Sequence, residues 1–197
     1  MAFVASIVEG QGDEAALPPL LHRIANETIP GQVLRVNPPH RVNANRFLNN
    51  EQEFSRVVHL QAAKAAQSDG FLLILLDCED DCPAELGPSI LERARAIRSD
   101  VTIIVVLAYR EFESWFEAAA HSLQGCEGLP KDLAPPGDST AIRDAKGWLS
   151  GKMGYKYNPV VSQAALCRVF NLEEACGNRS FARFYGRVKA ELFRYRA

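Results

Sequence analysis

Gly70-Phe-Leu-Leu-Ile-Leu-Leu-Asp-Cys-Glu-Asp-Asp81 is the stretch on which the fold turns. A glycine punctuates the chain, six apolar residues follow without polar alternation, and a burst of acid ends the run. An unbroken apolar run of this length suits a strand covered on both faces, as in the middle of a parallel sheet. Downstream, a helix is expected over 88–98, then a second buried strand over Val101–Leu107 leading into Arg110-Glu-Phe-Glu-Ser-Trp-Phe116. Upstream, Glu51–Gln67 carries Phe54, Val57, Val58, Ala62 and Ala65 on one helical face. Phe3–Val8 reads as a first strand that stops at Glu9-Gly-Gln-Gly12. A helix is expected over 17–25, with Pro18 and Pro19 in its first turn, and a short strand over Val33–Val36 before Pro38-Pro39.

Strands alternating with helices predict an α/β fold with a mostly parallel, Rossmann-like sheet flanked by helices. Right-handed crossovers then place the acidic turns that follow the strands along one sheet edge. Residues 1–124 are expected to form this core and the Gly- and Pro-rich residues 125–139 a loop. Residues 140–197 read as a helical C-terminal extension packed on the core, with helices near 141–149, 160–170 and 180–193.

The chain has 197 residues, 47% hydrophobic and 23% charged, which suits a folded domain and excludes wholesale disorder. Its longest apolar runs fall well short of the roughly 20 residues that span a bilayer, so no membrane partner is expected. Without a basic flank or a long apolar segment at Met1, and with five irregularly spaced cysteines, a cytoplasmic location is expected. The net charge of −2 hides an asymmetry. Residues 141–197 hold eleven Lys/Arg against four Asp/Glu, so residues 1–140 hold eleven against twenty. A basic tail behind an acidic core can pair a metal pocket with a phosphate-gripping surface, or simply solvate the outer faces of helices.

The acids carry the chemistry. Glu9, Asp77 and the following Glu79, Asp80 and Asp81, and Glu113 slightly further on, all follow buried strands. Two unit charges ~4 Å apart repel by roughly 4 kcal/mol at an effective dielectric of 20, so such a cluster needs protons, basic partners or a metal. Oxygen ligands without a His or thiolate pattern favour Mg²⁺ or Mn²⁺. Ordinary explanations stand beside this one. Asp13 can cap the first helix, Glu113 can pair with Arg110 on a helix surface, and Asp80 and Asp81 can be solvated turn residues, the reading preferred for Asp80. Cys78 and Cys82 lack a second ligand pair, and His22, His40, His59 and His121 have no ligand or triad spacing. Gly10-Gln-Gly12 matches neither GxGxxG nor a P-loop.

Glu9-Gly-Gln-Gly-Asp13 after one strand and Asp77-Cys-Glu79 after another resemble the Toprim signature of topoisomerases, primases and OLD-family nucleases. Val8-Glu-Gly10, Asp77–Asp81, Arg110-Glu-Phe-Glu-Ser-Trp115 and Ser180-Phe-Ala-Arg-Phe184 together look like the bacterial Toprim-like family catalogued as domain of unknown function 4276. The resemblance implies metal ligands at Glu9, Asp13, Asp77, Glu79 and Glu113. Glu79 stands where the motif has Asp, so Asp81 is an alternative ligand and a second metal is left open. Catalysis is expected of Glu9, Asp77 and Glu79, with Lys146, Lys152 or Lys156 serving the scissile phosphate. Lys156, Arg179, Arg183 and Arg187 are expected to grip nucleic acid, with DNA the first choice. The implied activity is Mg²⁺-dependent phosphodiester hydrolysis in phage defence, beside an ATPase of the structural-maintenance type. A non-catalytic adaptor of that ATPase and a nucleotidyl transferase are the alternatives, and a homodimer is left open.

Overall fold

The computed structural model describes residues 1–137 and 143–196. Five strands, β1 (Ala2–Val8), β2 (Leu34–Val36), β3 (His40–Arg41), β4 (Phe71–Asp77) and β5 (Thr102–Ala108), form one sheet in which every recorded pair is parallel. The order is β2-β1-β4-β5, with β3 also on β1. β2 pairs with the start of β1 and β3 with its end, Ile7 opposite His40 and Val8 opposite Arg41. They are one edge interrupted at Pro38-Pro39, which have no N–H to give a ladder.

The apolar runs divide by simple alternation. Val4, Val8, Leu73, Leu75, Ile104 and Val106 face one core. Phe3, Ala5, Ile7, Leu72, Ile74, Leu76 and Val105 face the other. Helices α3 (Glu51–Ala66) and α4 (Pro83–Ile97) cover the second face, after the short α2 (Ala44–Asn49). The first face is covered by α1 (Gln11–Thr28), α5 (Ser114–Ala118), α6 (Ala145–Met153), α7 (Pro159–Val169), α8 (Leu172–Ala175) and α9 (Arg179–Phe193). The C-terminal helices thus complete one of the two layers that the sheet needs.

The helix expected over 17–25 is longer and begins at Gln11, so Pro18 and Pro19 lie in its interior and not in its first turn. Asp13 secures the early start by accepting the Gly10 N–H at 2.8 Å. The two missing amide donors are tolerated where Leu17, Leu20, Leu21 and Ile24 bury completely. Likewise α4 starts at Pro83, with Pro88 inside it. The helix expected over 141–149 covers Ala145–Met153, and its first expected residues, 141 and 142, lie outside the described residues. Gly12 allows α1 to approach α7 closely, since a Cβ there would stand 1.8 Å from Gln163 Oε1 and 2.6 Å from Pro159 Cβ.

Candidate functional site

Parallel strands end their hydrogen-bond ladders at one sheet edge, and here the turns after β1, β4 and β5 meet. Cys78 N donates to Ala108 O at 3.0 Å, Glu79 N to Arg110 O at 3.1 Å, and Phe112 N to Asp77 Oδ1 at 2.8 Å. Arg110 N returns a contact to Cys78 Sγ at 3.1 Å. Glu79 (φ 47°) and Arg110 (φ 61°) both adopt the left-handed conformation, at a cost of roughly 1–2 kcal/mol each. Asp69 and Glu127 adopt the same conformation elsewhere; what sets this edge apart is that two such residues face each other across adjacent turns, Glu79 N on Arg110 O.

Together the turns enclose a pocket of about 400 Å³ whose lining includes Glu9, Asp13, Asp77, Glu79, Glu111 and Glu113, with Arg110, Lys146 and Gln163 among them. Asp13 is buried and accepts from Gln163 Nε2 at 2.6 Å. Glu113 is buried and pairs with Lys146 Nζ at 3.0 Å. Lys146 also reaches Glu111 Oε1 at 2.8 Å, while Glu111 Oε2 accepts the Ala145 and Lys146 backbone N–H groups that open α6. First-turn residues of α1, α6 and α7 all line the pocket, so the positive ends of three helices soften its negative charge.

That compensation is incomplete. Burial, then the charges of Glu79 and Asp13, push the Glu9 carboxyl up. Burial, then Asp13, lifts Asp77 well above the usual carboxylate range despite Lys146. Burial also raises Glu113, with Lys146 opposing. Burial pulls Lys146 down, but its pairs with Glu113 and Glu111 outweigh that and hold its proton. Behind the pocket, Glu117 is fully buried, has no hydrogen-bond partner for either oxygen among the described residues, and is pushed up to about 8 by burial and then by Glu111. The Tyr157 hydroxyl, also buried and unpartnered among the described residues, is kept protonated by burial and by Glu113.

Of the residues singled out in the sequence, Glu9, Asp13, Asp77, Glu79, Glu113 and Lys146 come together; Asp81, Lys152 and Lys156 do not line the pocket. Asp80 is outside too, exposed and paired with Arg143 at 3.1 Å. Asp13 proves to be both helix cap and pocket acid. The partner of Glu113 is Lys146, not Arg110, because α6 returns to the strand end from far along the chain. Among the described residues no three His, Cys, Asp or Glu side chains are grouped to hold a metal ion, since Asp13, Asp77 and Glu113 are each turned to protein partners. All five cysteines are free. A larger, shallower depression of about 850 Å³ on the outside of α3, lined by Glu51, Arg56, His59 and Leu60, brings no comparable set of acids together.

Glu111 and Gln163 escaped the sequence reading. Glu111 had a signal in the alternation of Arg110-Glu-Phe-Glu113, whereas an isolated amide on a helix has none. The two segments flanking the site also meet. Trp115 Nε1 and Tyr109 N both donate to Ser180 Oγ, at 2.9 and 3.0 Å, and the Trp115 ring stacks on Phe184 at 5.1 Å. A model of the family described as domain of unknown function (DUF4276) matches residues 8–189. The chain belongs to that family. No curated protein and no solved structure matches it. The family match spans the acidic turns, α6 and most of α9, so pocket and C-terminal helices are parts of one family unit. No helix among the described residues is long and apolar enough to cross a membrane.

Proposed function

We propose that this family member is a Toprim-like nuclease that hydrolyses nucleic-acid phosphodiesters at the carboxylate pocket, with Mg²⁺ or Mn²⁺ as cofactor. The observation that carries this reading is the meeting of Glu9, Asp77 and Glu79 at the ends of two adjacent parallel strands, beside Asp13, Glu113 and a single lysine. What supports a hard cation is the chemistry of the donors, which are all carboxylate. Asp77 and Glu113 would have to turn from their present protein partners to join Glu9 and Glu79 as ligands. Burial, the first cause that raises Glu9, Asp77 and Glu113, is a cost that a bound cation would offset. Glu9, Asp77 and Glu79 would hold the ion, with Asp13 and Glu113 beside them. When bound it would supply an activated water and stabilise charge on the leaving oxygen. Lys146, already aimed at the acids, neutralises the scissile phosphate, and Arg110 flanks it. Resemblance alone supports a phage-defence role and a structural-maintenance-type ATPase as partner.

A specific observation favours a second reading. Asp13, Asp77 and Glu113 already have protein partners, as in a scaffold that keeps the pocket but binds only the ATPase. Nicking of supercoiled plasmid, with and without Mg²⁺ or Mn²⁺ and with the ATPase present, separates the two. The nuclease reading expects metal-dependent nicking that Asp77→Asn and Glu9→Gln abolish. No nicking by wild type with either metal supports the scaffold, and nicking that survives both substitutions removes the pocket from the chemistry.

A further inference from the structure

The open edge of β5 carries a second feature, formed by α9. Ser180 Oγ meets Tyr109 N at 3.0 Å, Arg187 Nη1 meets Val105 O at 2.8 Å, and Arg194 Nη1 meets Thr102 Oγ1 at 3.0 Å. The helix therefore runs antiparallel to the strand, its start beside the pocket edge and its end at the far side of the sheet. Arg179, Arg183 and Arg187 recur every four residues on it, about 6 Å apart along the axis, and all three are exposed. Arg187 is anchored by its bond to Val105. Burial, then the charges of Arg183 and of Arg95 from α4, depress its pKa, so its charged neighbours are themselves cations. None of Arg95, Arg179, Arg183 or Arg187 has a carboxylate partner within salt-bridge distance among the described residues. Beside this row Ala182, Gly186 and Ala190 make a low row at the same spacing, and a Cβ at Gly186 would meet nothing within 4 Å. At the upper end, Tyr109 carries the Arg110 guanidinium 5.3 Å over its ring, and Arg110 lines the pocket.

We infer that Arg95, Arg183 and Arg187, with Arg179 above them, form a phosphate track along the β5 edge that holds one nucleic-acid backbone and delivers it past Arg110 to the carboxylate pocket. This rests on the nuclease reading for its direction of travel, not for the binding itself. Unpaired cations gathered at one edge repel one another until an array of anions joins them, and the low row beside them lets a backbone lie close. Contacts of this kind read phosphate and not sequence. Arg95 was not among the residues expected from the sequence, because only the fold brings α4 to the flank of α9.

The test is fluorescence anisotropy of labelled mixed-sequence oligonucleotides, single- and double-stranded, with the full chain over a series of salt concentrations. Arg95→Gln/Arg183→Gln is the variant of choice, since both side chains are exposed and Arg187 keeps its bond to Val105. Affinity is expected to fall about tenfold, and the log–log salt slope to become shallower by about 1.5, with an unchanged melting temperature. Lys131→Gln, an exposed residue in the loop that follows a 3₁₀ turn at Ala120–Leu123, serves as an off-track control and should leave both readouts unmoved. Unchanged affinity and slope in the double variant overturn the track, as does wild-type binding to anionic vesicles but to neither oligonucleotide. Salt-dependent binding by a chain that fails to nick plasmid with Mg²⁺ or Mn²⁺ and the ATPase present retains the track and overturns the nuclease reading.

Discussion

The two faces of the sheet are built differently. On the α3–α4 side the helices bury one polar side chain, Gln61, and no charge among the described residues. On the other side α1, α5, α7 and α9 bury Asp13, Glu113, Glu117 and Glu191 along with Gln163, Asn178 and Ser180. An unpaired buried charge is strongly destabilising, whereas a dry apolar interface stabilises at about 25 cal/mol per Å². One face therefore secures the fold, while the other gives up part of that stability to hold Asp13, Glu113 and Glu117 at or near the pocket, the first two with protein partners and Glu117 with none among the described residues; Glu191 lies at the far end, paired with Arg194. Functional sites are where such local conflict is expected.

Substitutions on each face should have different consequences. Asp77→Asn keeps an oxygen to accept the Phe112 N–H, so the fold should persist while nicking falls by on the order of a thousandfold, measured against a wild-type time course. A residual rate within tenfold of wild type would make the pocket face as inert as the other. Ile90→Ala, in the dry core under α4, should cost about 3 kcal/mol in urea unfolding and leave metal affinity untouched. Coupled loss of both would mean that the faces are not independent. Gly12→Ala pushes a methyl group into Gln163 and Pro159, and about 2 kcal/mol of lost stability is expected, together with weaker metal binding as Asp13 shifts.

The pH dependence follows from Glu117. Its folded pKa of about 8 lies above the unfolded value near 4.5, so between these limits the folded state binds more protons than the unfolded one. Its contribution is complete below about pH 4.5 and is lost as pH rises toward 8. Glu117→Gln should reduce the drop in unfolding free energy between pH 5 and 8 by on the order of a few kcal/mol; an identical drop in the variant would contradict the burial argument. Smallest of all, Asp80→Asn breaks only an exposed pair with Arg143 and should change stability by less than about 0.5 kcal/mol and nicking not at all.

The sheet was readable because its signals are local: Phe71–Leu76 and Ile103–Leu107 are apolar throughout, and acid follows both strands. Glu9 and Asp77 could be named from position alone, Glu79 only through the resemblance to a paired-acid motif. The start of α1 was missed since Pro18-Pro19 is a stronger local signal than a distant core that overrides it. The partners of the acids were less legible. Lys146 was one of three lysines with nothing local to rank them, and Gln163 lies 150 residues from the Asp13 it holds. Pairings of that separation are set by α6 and α7 folding back on the first face, which no window of sequence contains.

Isothermal titration of Mn²⁺ and Mg²⁺ into the metal-free chain asks whether the carboxylate pocket binds a divalent cation. Run in two buffers of different ionisation enthalpy, wild type should bind with release of protons, because Glu9 and Asp77 titrate above their ordinary range, and more tightly as pH rises. Asp77→Asn should abolish the signal. Absence of binding by wild type, or binding of equal affinity and proton count in Asp77→Asn, would contradict the claim.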